Sequence, residues 1–250
     1  MTSSPPFGLD NITVDASGAA HRVWPFYVVC DVSQSMWDED RWRDSVAPHA
    51  IMNTSLSLML ETLNDNVEAA AIGRIAVVTF ADSAKTHYPL SRIDDPRPLH
   101  PLPRGTWTNY LDVWEHLDKT IKQDVTALTA EGFRPKQPVV FFITDGNAVL
   151  RGEPQPISAW KPLHDSLCSP GFRERPRIVA LGLGDVHLDT VRAIRSIDPP
   201  GPACLADPGE PASTLLDAII NVIINSISMT ATSGSFRFKV PQGMTRLDES

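Results

Sequence analysis

An apolar run that stops at an acid constrains this chain more than any other feature. Phe26-Tyr27-Val28-Val29-Cys30 runs straight into Asp31-Val32-Ser33-Gln34-Ser35. A run so short and so apolar reads as a strand buried on both faces, the habit of parallel sheets covered by helices. Side chains just past its carboxyl end then lie where open α/β sheets bind ligands. One carboxylate and two hydroxyls at that position suit a small hard cation such as Mg²⁺, which takes oxygen ligands in octahedral geometry. The same residues would equally serve a strand-to-helix turn in which Asp and Ser hydrogen-bond only the nearby backbone.

A second segment bears on that choice. Pro138-Val139-Val140-Phe141-Phe142-Ile143-Thr144-Asp145-Gly146 is another very apolar strand that ends in an acid and a glycine. Between the two, Arg104-Gly105-Thr106-Trp107-Thr108-Asn109-Tyr110-Leu111-Asp112 reads as a loop that opens a helix. Taken in order, these pieces resemble the von Willebrand factor A (vWA) domain and its metal-ion-dependent adhesion site (MIDAS). That family's pattern is Asp-x-Ser-x-Ser, then a distant Thr, then an Asp at the end of the central strand. The resemblance covers residues 22 to 228. It implies a metal set of Asp31, Ser33, Ser35, one threonine and Asp145. The family threonine precedes Asn, which selects Thr108, with Thr106 second. Gln34 departs from the glycine usual between the two serines. The resemblance further implies Mg²⁺, or Mn²⁺ or Ca²⁺, held directly by the serine hydroxyls and often through water by the carboxylates. An Asp or Glu of another protein would complete the coordination.

The rest of the chain alternates strands and helices. Strands are expected at 25–31, 74–82, 138–144, 177–185 and 204–206, with 85–93 as an antiparallel partner at the sheet edge. Helices are expected from Asp44 to Leu63, from Thr108 to Leu128, at 159–167, at 188–197 and at 211–228. Ile51, Leu56, Met59, Leu60 and Leu63 make the apolar face of the first, and Leu111, Trp114, Leu117 and Ile121 that of the second. Alternation of this kind implies βαβ units with right-handed crossovers. The expected class is a three-layer α/β/α, doubly wound, mostly parallel sheet with one antiparallel edge strand, as in vWA domains. Residues 1–21 read as a loose arm, 22–228 as the domain, and 229–250 as a tail. Ser235 to Val240 alternates like a strand that could add to a sheet edge.

Composition excludes other classes. The net charge of −8 and the absence of a Lys/Arg block argue against nucleic acid or an anionic membrane as partner. The start Met1-Thr2-Ser3-Ser4-Pro5-Pro6 has neither a basic nor an apolar signal region, and the apolar stretch Leu215–Ile227 is short and interrupted by Asp217, Asn221 and Asn225. Three cysteines without a pairing pattern fit a reducing cytoplasm. No His-x₃-His or Cys-x₂-Cys spacing points to zinc.

An enzyme is not expected. Asp-ended strands loosely resemble haloacid dehalogenase-type phosphotransferases, which would make the chain a metal-dependent phosphoester hydrolase. That chemistry needs a second acid two residues after the nucleophile, and Ser33 stands there. Phosphate-loop and nucleophile-elbow motifs are absent. The expected function is therefore an intracellular, metal-dependent adaptor for another protein. Within the family the chain looks most like stand-alone bacterial TerY-type proteins of tellurite resistance and stress. Those work with a kinase and a phosphatase; vWA partners of MoxR-type AAA+ ATPases and defence-system adaptors are the other close classes. Trp37 and Trp107 flank the expected metal, where either ring would serve as a partner-binding hot spot or as a lid on the core.

Overall fold

The computed structural model describes residues 21–42, 45–95 and 97–247. The expected N-terminal arm, apart from His21, and Asp44 lie outside them.

The first apolar run becomes β1 (Arg22–Asp31), buried from Val23 onward. A short helix α1 (Gln34–Trp37) and a 3₁₀ turn at Glu39–Arg41 follow directly. Helix α2 (Pro48–Asn64) opens on a proline at its first position, where a missing N–H leaves nothing unpaired. It therefore starts four residues later than its periodicity suggests. Next come α3 (Val67–Ile72), β2 (Gly73–Phe80) and β3 (Ala84–Arg92). Helix α4 (Tyr110–Ala130) is capped by Asn109, whose side chain accepts from the Asp112 N–H. Then follow β4 (Arg134–Pro135), β5 (Val139–Thr144) and a hairpin of β6 (Val149–Leu150) with β7 (Glu153–Pro154). The chain continues through α5 (Ile157–Leu167), β8 (Arg177–Gly182), α6 (Leu188–Ile194), β9 (Ala203–Ala206), α7 (Ala212–Ser233) and β10 (Met244–Arg246).

The main sheet runs β10-β9-β8-β5-β1-β2-β3, with β4 paired to the start of β1. Strands β2, β1, β5, β8 and β9 are parallel. The edges are antiparallel: β3 on β2, as expected, and also β10 on β9. Alternate residues of β1 feed opposite layers. Phe26, Val28 and Cys30 join α2, α3 and α7 in one core. Tyr27 and Val29 join α4, α5 and α6 in the other. The chain winds outward from β1 through β2 and β3, then returns to β5 on the other side of β1. The carboxyl ends of β1 and β5 thus flank a topological switch point, the place where such sheets open a crevice.

Several expectations need correction. Helix α6 stops at Ile194, not at residue 197, because Ser196 turns inward. Its hydroxyl accepts from Ile178 N and donates to Pro199 O. Strand β8 ends at Gly182; Leu183 N donates to Thr144 O, and Gly184 turns the chain at φ 53°. Helix α7 is 22 residues and continues to Ser233, capped by Gly234 at φ 69°. At that length it passes the length and composition test for a bilayer-spanning helix, contrary to the shorter reading. Its Leu215, Leu216, Ile219, Ile220, Ile223 and Ile227 are nonetheless packed in the core. Ser235–Val240 forms no strand. Phe236 and Phe238 pack against the α7 core instead, and the sheet edge beside β9 is taken by β10.

Candidate metal centre

Asp31 is the last residue of β1 and has 0% exposure. One carboxylate oxygen accepts from Ser33 N at 2.9 Å, the other from the Thr144 hydroxyl at 2.6 Å. The turn so fixed brings the Ser33 and Ser35 hydroxyls to 3.2 Å from each other. Ser35 Oγ donates to Asp145 Oδ1 at 2.7 Å across the crevice. Asp145, 3% exposed, directly follows β5. Burial pushes the Asp31 carboxyl up to about 6, with the Ser33 and Thr144 hydrogen bonds pulling back. Burial, and then the charge of Asp31, push Asp145 up to about 7 against the Ser35 hydrogen bond and the Arg41 charge.

Thr108 joins them from the loop before α4. It is 6% exposed, and its backbone is bridged both ways to Val149, at 2.9 and 3.0 Å. Its hydroxyl faces Gly146: a Cβ on that glycine would lie 3.2 Å from Thr108 Oγ1 and 3.8 Å from Asp31 Oδ2. Thr106 lines the same cleft but is exposed, with its N–H held by Asp82 at 2.7 Å. Ser33, Ser35, Thr108, Asp145 and Gly146 line a cleft of about 470 Å³ open at the carboxyl edge of the sheet.

The two tryptophans are placed differently. Trp37 is half-buried; its indole N–H donates to Gly105 O at 2.9 Å, and the Arg104 guanidinium lies 5.5 Å above its ring. Trp107 is half-buried on the cleft wall, its ring against the β6–β7 turn at Gly152. Trp37 thus braces the threonine loop, while Trp107 presents a face to the cleft.

Sequence reasoning missed three supporting residues. Thr144 holds Asp31, and the buried Tyr110 hydroxyl donates to Thr144 Oγ1 at 3.2 Å and Gly146 O at 2.9 Å. Trp42 donates to Ser35 O at 3.0 Å and packs on Gly184. The threonine adjoining Asp145 was the one available signal; Trp42 and Tyr110 become visible only through the fold.

Among the described residues no three His, Cys, Asp or Glu side chains cluster as a metal site. The donor set here is two carboxylates and three hydroxyls, all oxygen, which is the chemistry of Mg²⁺, Mn²⁺ and Ca²⁺. Two mutually repelling buried acids with no Lys or Arg hydrogen-bonded to them among the described residues are what a bound cation would neutralise. The residues present therefore fit a divalent cation.

No protein-family model matches the chain, and no curated protein matches it. Solved structures do. Proximal thread matrix protein 1 from the mussel byssus matches at TM-score 0.54 and 17% identity, over 84% of this chain and 49% of its own. A structure of that protein described as having a zinc-occupied MIDAS motif matches at TM-score 0.50 and 15% identity, over 84% and 48%. A von Willebrand factor type A protein from Catenulispora acidiphila gives TM-score 0.54, 14% identity, 84% and 43%. The PilB minor pilin of Streptococcus sanguinis gives TM-score 0.54, 14% identity, 88% and 64%. The chain spans about half the length of the first of these. The fold is vWA-like.

Proposed function

We propose that this chain is a divalent-metal-dependent protein-interaction module. The observation that carries the reading is the convergence of Ser33, Ser35, Thr108 and Asp145 on one cleft at the switch point of a vWA-like sheet, with the buried Asp31 tied to it through Ser33 N. These five residues would hold the cation, Thr108 being favoured over Thr106 by its burial and by its approach to Gly146. When bound, the metal offers a coordination position to a carboxylate of a partner protein. The chain's own contribution is to fix the ligands. Thr144 and Ser33 N orient Asp31, Trp42 and Asp145 orient the Ser35 turn, and Val149 sets the height of Thr108. Trp107 supplies an apolar wall beside the opening.

Mg²⁺ is the proposed ion, with Mn²⁺ and Ca²⁺ as alternatives. The zinc in the mussel protein argues for testing Zn²⁺ beside them. The proposed setting is a bacterial stress-response, tellurite-resistance-like or defence system in the cytoplasm. The partner would be a kinase, phosphatase or AAA+ ATPase that presents an Asp or Glu. The structural neighbours include a thread matrix protein, a von Willebrand factor type A protein and a minor pilin, which supports a binding rather than an enzymatic role.

The test joins a thermal melt to affinity capture. Each of the four metals is added to EDTA-stripped protein. A ligand at about 100 times its Kd stabilises by about 2.7 kcal/mol, a readable rise in Tm. Asp145→Ala should remove that rise while melting cooperatively. Capture from lysate should yield a protein with wild type in Mg²⁺ and not with EDTA or Asp145→Ala. No rise with any metal would overturn the reading.

A further inference from the structure

Charge is unevenly distributed over this acidic chain, which has 22 Lys and Arg against 30 Asp and Glu. In the lining of a groove beside the end of α4 the balance reverses. Two adjoining hollows of about 420 and 430 Å³ share Val125, Thr129 and Glu174 and form one groove against the 172–174 loop. Its lining carries Lys122 at one end and Arg134, Lys136 and Arg173 at the other, with Glu174 as the single acid among the described residues. Between the cations, apolar Val125, Ala130, Phe133 and Phe172 alternate with Thr126, Thr129 and Glu174.

Three of these four cations are weakly paired among the described residues. Arg134 and Lys136 make no ion pair among the described residues; only their backbone N–H groups are engaged, with His21 O and Val23 O. Arg173 has a side chain 93% exposed and a long 4.0 Å approach to Glu174. Lys122 pairs with Asp118 and lies 5.3 Å over the Phe172 ring, which leaves its ammonium at the groove's edge. The groove is also remote from the metal centre. Thr108 precedes the first turn of α4, whereas Lys122 to Ala130 lie about 18 to 30 Å further along at 1.5 Å per residue.

We propose that this groove docks an acidic peptide segment of a partner protein, with apolar side chains between its acids, independently of the metal centre. Apolar side chains would cover Val125, Phe133 and Phe172. Acids on either side would meet Lys122 and the Arg134–Lys136–Arg173 cluster. Cationic rims of this kind select partners by charge and raise the association rate. A module with one site at each end of α4 can join two proteins.

The probe is a fluorescein-labelled synthetic peptide, Glu-Asp-Glu-Leu-Phe-Glu-Asp-Glu, followed by anisotropy with the full chain. Saturable binding is expected, unchanged by EDTA and in Asp145→Ala, and weakened at least about tenfold by Arg134→Glu with Lys136→Glu. Replacing the Leu-Phe pair of the peptide by Ser-Ser should weaken binding to the unaltered protein by a similar factor, a comparison free of folding effects. Absence of binding overturns the proposal. So does loss in EDTA, which would move the peptide to the metal centre. Equal binding of the Ser-Ser peptide, or its displacement by oligothymidylate at equal charge, would mean general polyanion attraction and overturn it too.

Discussion

Asp31 and Asp145 are buried close together with no Lys or Arg hydrogen-bonded to them among the described residues, and this makes two predictions at the scale of single residues. The first is a pH dependence. Both carboxyls lie above the value of about 3.9 they would have in the unfolded chain, at about 6 and about 7, chiefly through burial. From about pH 4 to pH 7 the folded protein therefore binds more protons than the unfolded one, and stability falls as pH rises. The EDTA-stripped protein should lose Tm steadily from pH 5 to pH 8. Asp145→Asn should flatten that slope, because it removes the like charge. Saturating Mg²⁺ should reverse it, since metal binding requires the ionised acids. A flat profile for the stripped protein would mean the carboxylates are neutralised in some other way. The second concerns Gly146. An added methyl would lie 3.2 Å from Thr108 Oγ1 and intrude on the space between that hydroxyl and Asp31. Gly146→Ala should weaken Mg²⁺ by about tenfold, about 1.4 kcal/mol, with little change in the melt of the stripped protein. Calorimetric titration checks it.

At the scale of elements, the threonine loop owes its position to a hairpin that propensity does not announce. Val149 bridges Thr108, and Gln155 reaches back beyond it: its amide donates to Asn109 Oδ1 at 3.0 Å and accepts from Tyr110 N at 3.0 Å. Gln155→Ala leaves the first N–H of α4 without that partner and frees the Asn109 cap. A loss of about 2 kcal/mol in urea unfolding is expected, with a few-fold loss of Mg²⁺ affinity because Thr108 stands between the two anchors. Unchanged affinity beside a full stability loss would show that the loop is set by Val149 alone. The central strands were legible because β1, β5 and β8 are short, mostly apolar runs that end at or just before an acid or a glycine: Asp31, Asp145 and Gly182. Their parallel arrangement followed from the resemblance and the βαβ rule. The two-residue strands of the hairpin carry no periodicity at all; only the left-handed pair Arg151 and Gly152, at φ 54° and 81°, marks the turn. The alternation of Ser235–Val240 misled for a related reason. Phe236 and Phe238 do face one way, but onto α7, and strand pairing depends on a free neighbouring edge that no local pattern reports.

For the molecule as a whole, the chain after α7 is an integral part of the core layer. From Gly234 it lies back along α7, with Arg177 4.9 Å over the Phe236 ring and Phe238 stacked 6.4 Å from Phe236. Near the opposite end of the helix, Gly243 approaches Leu215 and Glu210. Strand β10 then pairs with β9 through Met244, Thr245 and Arg246, and Met244 and Leu247 are 6% and 7% exposed, one in each core layer. Both layers are thus closed at this edge by residues that a boundary at 228 would discard. Removing residues from 235 onward takes away four packed apolar side chains, Phe236, Phe238, Met244 and Leu247, and opens the β9 edge. At roughly 1 kcal/mol for each partly or fully buried side chain, a loss of about 3 to 5 kcal/mol is expected, with a tendency to associate through the bared strand. Urea unfolding and light scattering measure the two effects separately. The double substitution Phe236→Ser with Phe238→Ser should reproduce about half the stability loss without the association, because it leaves β10 in place. Because this segment closes the edge away from β1 and β5, Mg²⁺ affinity measured below the unfolding transition should be retained in that variant. Loss of affinity there would mean that the packing of α7 and the metal centre are coupled through the sheet.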